Sequence, residues 1–370
     1  MNILAAMEEF DHEELIFFQD KDVGLKAIVA IHNTVLGPAL GGTRMRPYAS
    51  EEEALKDVLR LSRGMTYKAA AAGLNLGGGK AVIIGDPKKD KSQTLFSVYG
   101  KFLNTLGGRY ITAEDSGTDV NDIEYMFTET DYVVGIETSH GGSGDPSPFT
   151  ALGVFQGIQA CCSRVYGKDG VRGKTVVVQG VGNVGGKLAR LLVGAGAKVV
   201  ISDVDAGRVE QVKRDLSVEA VPADQVFGVA CDIFAPCALG SVLNDATVNQ
   251  LQCKIVAGGA NNQLERPEHA EQLRQRGIIY APDYVINAGG LMNVYLELEG
   301  YSRERAERMT RGIYYNLMQI FQLSDQMKIT TAAAADRLAE QRLEKISRAS
   351  AIFMPHKKDI VEKMRLRRRH

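Results

Sequence analysis

Charge of one sign, paired cysteines and long apolar runs are all scarce in this chain. Its 370 residues carry 44 Lys and Arg against 45 Asp and Glu, a net charge of −1. That balance gives no global electrostatic reason to expect nucleic acid or an anionic membrane as a partner. The five cysteines, Cys161, Cys162, Cys231, Cys237 and Cys253, are odd in number and lack the paired spacing of a zinc site. With no signal peptide before the acidic N-terminus, reduced thiols in a cytoplasm are expected. No segment reaches about 18 uninterrupted apolar residues, which excludes a membrane-spanning helix. What remains is ordinary globular composition, 45% hydrophobic, in a chain long enough for two domains.

The stretch with most to say is Gly64 to Ala81, GMTYKAAAAGLNLGGGKA, which sets Lys68 and Lys80 on either side of a run of small residues. Upstream, Ser50 and Glu53 form a capping box. Ala54, Val58, Leu61 and Met65 then recur at helical steps that lead to Lys68. An apolar stripe ending in lysine aims a cation inward, where an anion or a lowered pKa must relieve it; a lysine snorkelling at a helix C-terminus is the other reading. Gly77, Gly78 and Gly79 strip the Cβ atoms from the approach to Lys80, leaving room for a ligand or simply making a turn into a strand. A lysine beside a second cation and away from water has its pKa pushed down from about 10.4, toward base chemistry near neutrality.

Around this stretch, Leu25 to His32 reads as a strand, and Leu36 to Pro47 as a loop. There Gly41 and Gly42 offer backbone N–H groups to an anion, with Arg44 and Arg46 nearby, unless it is a plain turn with exposed arginines. A helix over 92–106 leads to the strand RYITA, which ends at Asp115, either a turn former or a proton-transferring acid. His140 to Pro148, HGGSGDPSP, reads as the domain hinge, with a helix from Thr150 after it.

Thr175 to Gly186, TVVVQGVGNVGG, is a β-branched strand running into Gly180, Gly182 and Gly185 and then a helix, the context a dinucleotide-binding G-x-G-x-x-G requires. A second strand, KVVISD, ends in Asp203 at about the expected 20-residue distance. A carboxylate there accepts both ribose hydroxyls and repels a 2′-phosphate, which favours NAD over NADP, with Arg208 the exception to watch. Further strands fit 230–235, 254–257 and 278–280, and their ends carry Cys237, Ala238, Asn261, Asn262, Asp283 and Asn287. The asparagines are either ligand groups or turn residues. From Leu291 the pattern is helical, and the tail KMRLRRRH, 363–370, reads as a solvated basic terminus.

The segments LGPALGGTRM, GMTYKAAAAGLNLGGGKAVI, ITAEDSGT, GVGNVGG and APDYVINAGG, in this order and spacing, resemble the glutamate, leucine, phenylalanine and valine dehydrogenase superfamily, its leucine branch most closely. The resemblance spans nearly the whole chain. It implies an α/β protein of two domains separated by a cleft: a mixed-sheet substrate-binding and oligomerisation domain, 1–147 with 332–370, and a Rossmann-type NAD-binding domain, 148–331. It implies oxidative deamination of an L-amino acid to a 2-oxo acid and ammonium, with NAD as cofactor, no metal, no nucleic acid or membrane partner, and a homo-oligomer, commonly an octamer.

By the same resemblance Lys68 holds the substrate carboxylate with Gly41, Gly42 and Asn262. Lys80 deprotonates the attacking water, and Asp115 carries protons to and from the amine nitrogen. Gly180, Val181, Gly182, Asn183, Val184, Gly185 and Gly186 would hold the dinucleotide with Asp203, Cys237 and Ala238, while Thr150 and Asn287 anchor its nicotinamide side. Leu40, Met65, Ala113, Leu291 and Val294 would line the side-chain pocket. Glutamate-specific members have lysine where this chain has Leu40, so a γ-carboxylate finds no partner. Ala113 in place of glycine favours a branched aliphatic substrate, whereas Leu291 in place of valine leans toward an aromatic one. A phenylalanine enzyme is therefore the alternative, and a catalytically inactive nucleotide-binding regulator a more distant one.

Overall fold

A computed structural model describes residues 2–168, 170–238 and 240–349. The basic tail falls outside them. The chain divides into two compact units, 2–145 with Val294–Arg303 and the chain from Ala339, and Pro146–Asn293 with Glu304–Leu338. Residues 294–303, expected with the nucleotide-binding domain, fall in the first unit, and 332–338, expected with the substrate domain, fall in the second.

The first unit contains, in chain order, α1 (Ile3–Phe10), β1 (Glu14–Asp20), β2 (Leu25–Asn33), β3 (Ala39–Arg46), α2 (Glu51–Ala71), β4 (Gly77–Ile84), α3 (Gln93–Thr105), β5 (Tyr110–Glu114) and α4 (Val120–Phe127). Its sheet runs β1-β2-β4-β3-β5 and is mixed: β1 and β4 lie antiparallel to β2, while β3 lies parallel to β4 and β5. The continuous apolar sequence of β2 follows from burial on both faces. Ala27, Val29 and Ile31 pack with Phe96, Tyr99 and Ile123 of α3 and α4, while Ile28 and Ala30 pack with Ala54, Val58 and Leu59 of α2.

Half of the capping box expected at α2 forms: Glu53 N–H donates to Ser50 Oγ at 3.1 Å, but the Glu53 carboxylate accepts from Ala49 N–H at 2.8 Å, one residue before the cap, rather than from Ser50 N–H. Two buried histidines lie against this helix. His12 Nε2 is 2.7 Å from Ser62 Oγ and 3.1 Å from Leu59 O; His32 Nδ1 is 2.8 Å from Thr66 Oγ1; and the rings meet edge to face. Burial holds them well below the usual histidine value, His12 at about 4 and His32 at about 3.

The second unit opens with α5 (Ser147–Tyr166), then β6 (Thr175–Gln179), α6 (Asn183–Gly194), β7 (Lys198–Ser202), α7 (Ala206–Leu216), β8 (Glu219–Ala220), β9 (Ile233–Pro236), β10 (Ile255–Val256), α8 (Glu268–Gln275), β11 (Ile279–Tyr280) and α9 (Asp283–Ile286). Helices α10 (Gly289–Glu299), α11 (Arg303–Arg311), α12 (Ile313–Met327) and α13 (Thr331–Ala349) follow. All strand pairs are parallel, and the order β8-β7-β6-β9-β10-β11 reverses direction between β6 and β9. In open parallel sheets ligands bind at the carboxyl ends of the strands beside such a reversal.

Two sequence expectations change. Residues 39–46 form strand β3 rather than a loop, because Ala39 to Arg46 pair on both sides, with β4 and β5. Gly77 to Gly79 make no turn, since they are the first residues of β4 itself. A Cβ on Gly78 would overlap Thr66 of α2, and one on Gly79 would stand 2.7 Å from the Tyr110 ring. The two glycines let a helix and an aromatic ring close directly on the strand, so protein fills the space that the sequence reading left for a ligand.

Candidate active site

Strand β4 carries Lys80, which is 6% exposed and pairs in register with Ala30. Strand β5 ends at Glu114, so the next residue, Asp115, projects from the edge of the paired region. The two side chains meet: Lys80 Nζ is 2.7 Å from Asp115 Oδ2. Arg44 of β3 reaches the same oxygen with Nε at 3.1 Å. Its Nη1 bonds Asp57 Oδ2 at 3.0 Å, and that oxygen also accepts from Tyr48 OH at 2.8 Å.

Burial by itself would raise the Asp115 carboxyl, but the Lys80 ammonium and the Arg44 guanidinium outweigh it and hold the group at about 2. The neighbouring Glu114 is pushed upward by burial and by the negative charges of Asp145, Asp119 and Asp115. Adjacent carboxyls driven apart in this way separate an ionised group from one that binds protons more readily.

Lys80 forms a cation–carboxylate pair, and Lys68 sits in the last turn of α2 at intermediate exposure. Arg44 is not an exposed turn arginine, whereas Arg46 is exposed and pairs with Glu53. Sequence reasoning missed the Arg44–Asp57–Tyr48 chain; the only local signal for it was the helical placement of Asp57, one residue before the buried Val58.

Beside the pair, Gly42 of β3 is in register with Ala113, and a Cβ on Gly42 would stand 2.9 Å from that of Asp115. A Cβ on Gly41 would overlap Gly79 O and stand 3.3 Å from Met65 Cγ. Tyr110 OH donates to Gly41 O at 2.6 Å. Leu40, buried, pairs with Gly78. Glycine at 41 and 42 is thus set by close packing of strand on strand. Leu291 and Val294 are buried three residues apart on α10, Leu291 in the second unit and Val294 in the first.

In the second unit the three motif glycines have distinct surroundings. Gly180 has φ +91° and packs against Ala238, where a Cβ would stand 2.7 Å away; Gly185 presses on Gly180 O; and Gly182, at the N-cap of α6, has nothing nearer than Arg208 Nη1 at 3.8 Å. One glycine turns, one packs helix on strand, and one leaves open space at a helix N-terminus, the arrangement a pyrophosphate needs. Val181 N–H donates to Asp203 Oδ2 at 2.8 Å, which fixes the carboxylate beside the motif. A cavity of about 400 Å³ opens here between α6 and α7, lined among others by Gly182, Asn183, Gly186, Lys187 and Arg208.

Val184 of α6 packs near Gly259, whose N–H donates to Cys237 Sγ at 3.4 Å, and burial pushes the Cys237 thiol up to about 11. Asn287 Nδ2 donates to Asn261 Oδ1 at 2.7 Å, and a Cβ on Gly290 would stand 2.7 Å from Thr150 Oγ1. Asn262 is exposed with φ +50°, its carbonyl accepting from Ser241 N–H at 2.6 Å. Elsewhere Asp245, Glu265 and His269 bring three potential metal ligands together. There His269 Nδ1 already accepts from Arg266 N–H, and the Arg266 guanidinium bonds Asp245, so those groups are committed to protein partners.

Two family profiles cover the chain: the Glu/Leu/Phe/Val dehydrogenase dimerisation domain over residues 12–132, and the Glutamate/Leucine/Phenylalanine/Valine dehydrogenase domain over 141–210 and 201–351. The chain is 52% identical to a leucine dehydrogenase of Geobacillus stearothermophilus over 367 residues, covering 99% of this chain and 100% of that one. It is 46% identical to a phenylalanine dehydrogenase of Caldalkalibacillus thermarum over 363 residues, 97% of each. The crystal structure of L-tryptophan dehydrogenase from Nostoc punctiforme superposes with a TM-score of 0.83 at 45% identity, covering 93% of this chain and 99% of that one. With the mixed sheet, the doubly wound sheet and the glycine turn all in place, the chain belongs to the Glu/Leu/Phe/Val dehydrogenase family.

Proposed function

We propose that this protein is an NAD-dependent amino-acid dehydrogenase that reversibly deaminates a branched-chain L-amino acid, leucine, valine or isoleucine, to the 2-oxo acid and ammonium. The observation that supports the reading is the Lys80–Asp115 ion pair, set by the glycine-bearing strands β3 and β4 and the end of β5 in a chain about half identical to leucine dehydrogenases.

NAD, when bound at the Gly180 turn, accepts the hydride from the substrate Cα. Asp203 would take the adenosine ribose hydroxyls, and Thr150 and Asn287 would anchor the nicotinamide side. Lys68, with the backbone of Gly41 and Gly42 and with Asn262, binds the substrate carboxylate. Lys80 orients the water that attacks the iminium carbon and, in its neutral amine form, takes its proton. Asp115, ionised and bonded to Lys80, receives a proton only in passing and returns it to the amine nitrogen. Leu40, Met65, Ala113, Leu291 and Val294 supply an apolar pocket in which a substrate γ-carboxylate has no partner. The working form is a cytoplasmic homo-oligomer, an octamer by family resemblance, and its mass in sedimentation tests that.

Initial rates of NADH formation with leucine, valine, isoleucine, phenylalanine and glutamate test the substrate, with NADP in a second series. The highest kcat/KM is expected for a branched-chain substrate with NAD. Glutamate as best substrate, or no turnover with any, overturns the reading. Preference for phenylalanine would keep the mechanism and favour the second reading, which rests on Leu291. One methylene in such a pocket discriminates by only about 1–3 kcal/mol.

A further inference from the structure

The register of the nucleotide-binding sheet sets two thiols side by side, away from the glycine turn. Ile233 pairs with Ile255 and Phe234 with Val256, and the parallel bridge Ala230–Gln252 keeps the same register, so Cys231 lies opposite Cys253. Cys231 N–H donates to Gln252 O at 3.0 Å, which ties the two segments together at that level. Adjacent strands run about 4.8 Å apart, and a disulfide joins Cα atoms about 4.4–6.8 Å apart. The two thiols also act on each other's ionisation, Cys231 being pushed up and Cys253 held down. Both residues are half-buried against the cluster of Val177, Phe234 and Val256.

We propose that Cys231 and Cys253 form a site of reversible oxidation, closing to a disulfide in the presence of a low-molecular-weight disulfide such as oxidised glutathione. The Cys253 sulfur attacks one sulfur of the oxidant and releases one molecule of the reduced thiol. The Cys231 sulfur, giving up its proton, then attacks Cys253 in the mixed disulfide and releases the second. The protein loses two hydrogens and the oxidant becomes two thiols.

Electrostatics assigns the order. The neighbouring Cys231 thiol and the nearby Arg276 guanidinium, whose Nη2 is anchored on Leu251 O at 2.6 Å, favour the Cys253 thiolate. Cys161 and Cys162 are buried in α5, and burial pushes the Cys161 thiol upward. Cys237 sits at the carboxyl end of β9, the opposite end of that strand from Cys231. Because the pair is at the amino ends of β9 and β10, its closure leaves the Gly180 turn and Cys237 unchanged.

The test treats the intact protein with oxidised glutathione, blocks remaining thiols, and cleaves on the amino side of aspartate. That cleavage puts Cys231 in 224–231, Cys237 in 232–244 and Cys253 in 245–282. The expected result is 224–231 joined to 245–282, with two of the five thiols lost and both regained on reduction. Cys231→Ser should instead trap glutathione on Cys253. Both it and Cys253→Ser should keep turnover while losing the higher melting temperature that oxidation gives the unaltered protein. Peptides 224–231 and 245–282 that separate after oxidation, each with its own thiol or its own glutathione, would overturn the proposal.

Discussion

Lys80 and Arg44 converge on one atom, Oδ2 of Asp115, at 2.7 and 3.1 Å. The lysine is the cation from which water activation is expected. Lys80→Ala should lower kcat by at least about 100-fold, the low end of what a positioned acid or base contributes. NADH binding, followed by its fluorescence, should stay measurable. Undiminished turnover in this variant would remove Lys80 from the mechanism.

Arg44 acts on the reaction through Asp115. Its guanidinium is one of two charges that offset burial and keep the carboxyl at about 2. A carboxyl depressed in the folded state adds stability that is present above its unfolded value of about 4 and lost as pH falls toward 2. In Arg44→Gln the folded value rises, by roughly one unit. The acidic limb of the kcat profile should then move to higher pH by a similar amount, and acid unfolding should begin earlier. A profile superimposable on that of the parent would show that Lys80 alone controls the group.

His12 and His32 act on the same acidic side of the stability curve, at higher pH than Asp115. Both folded values, about 4 and about 3, lie below the ordinary 6.5, so the unfolded chain binds more protons between those limits. Their contribution is complete above about pH 6.5 and is lost as pH falls through the window below it. The slope is about 1.4 kcal/mol per pH unit for each histidine. Urea unfolding between pH 7 and pH 5 should show this loss, and His32→Asn should reduce the slope by about half. An unchanged slope would mean that these rings do not titrate on unfolding.

On the proposed reading, cofactor choice depends on Asp203, whose carboxylate is fixed by Val181 N–H at 2.8 Å and by Asp205 N–H at 2.9 Å. Asp203→Ser removes the repulsion of a 2′-phosphate and leaves Arg208 beside the turn. The ratio of kcat/KM for NADP to that for NAD should rise by at least about tenfold, a difference of roughly 1.4 kcal/mol. A ratio that does not move would take cofactor selection away from this residue.

The parts legible in the sequence are those written in consecutive residues. The strand, Gly180–Gly182–Gly185 and the helix after them follow from local backbone demands, and so does the Ser50 cap of α2. Strand β3 was hidden because Gly37, Pro38, Gly41 and Gly42 read as turn chemistry. The real constraint on Gly41 and Gly42 is the approach of Gly79 O and Glu114 O from two neighbouring strands. Strand β1 went unseen as well, since one of its faces is mostly exposed and its apolar pattern is short. Arg44 bonds Asp57 and Asp115, 13 and 71 residues further along the chain, and no periodicity encodes such distances. The meeting of Lys80 and Asp115 is long-range in the same way, and family resemblance, not spacing, brought the two together in the sequence reading.

The glycines that open β4 carry a further consequence. Helix α2 rests on Gly78, the Tyr110 ring rests on Gly79, and Lys80 follows at once. The reactive ammonium is therefore aimed by neighbours that contribute no functional group of their own. A saturation scan of this strand should find its most intolerant positions, apart from Lys80 itself, at residues with no side chain to lose.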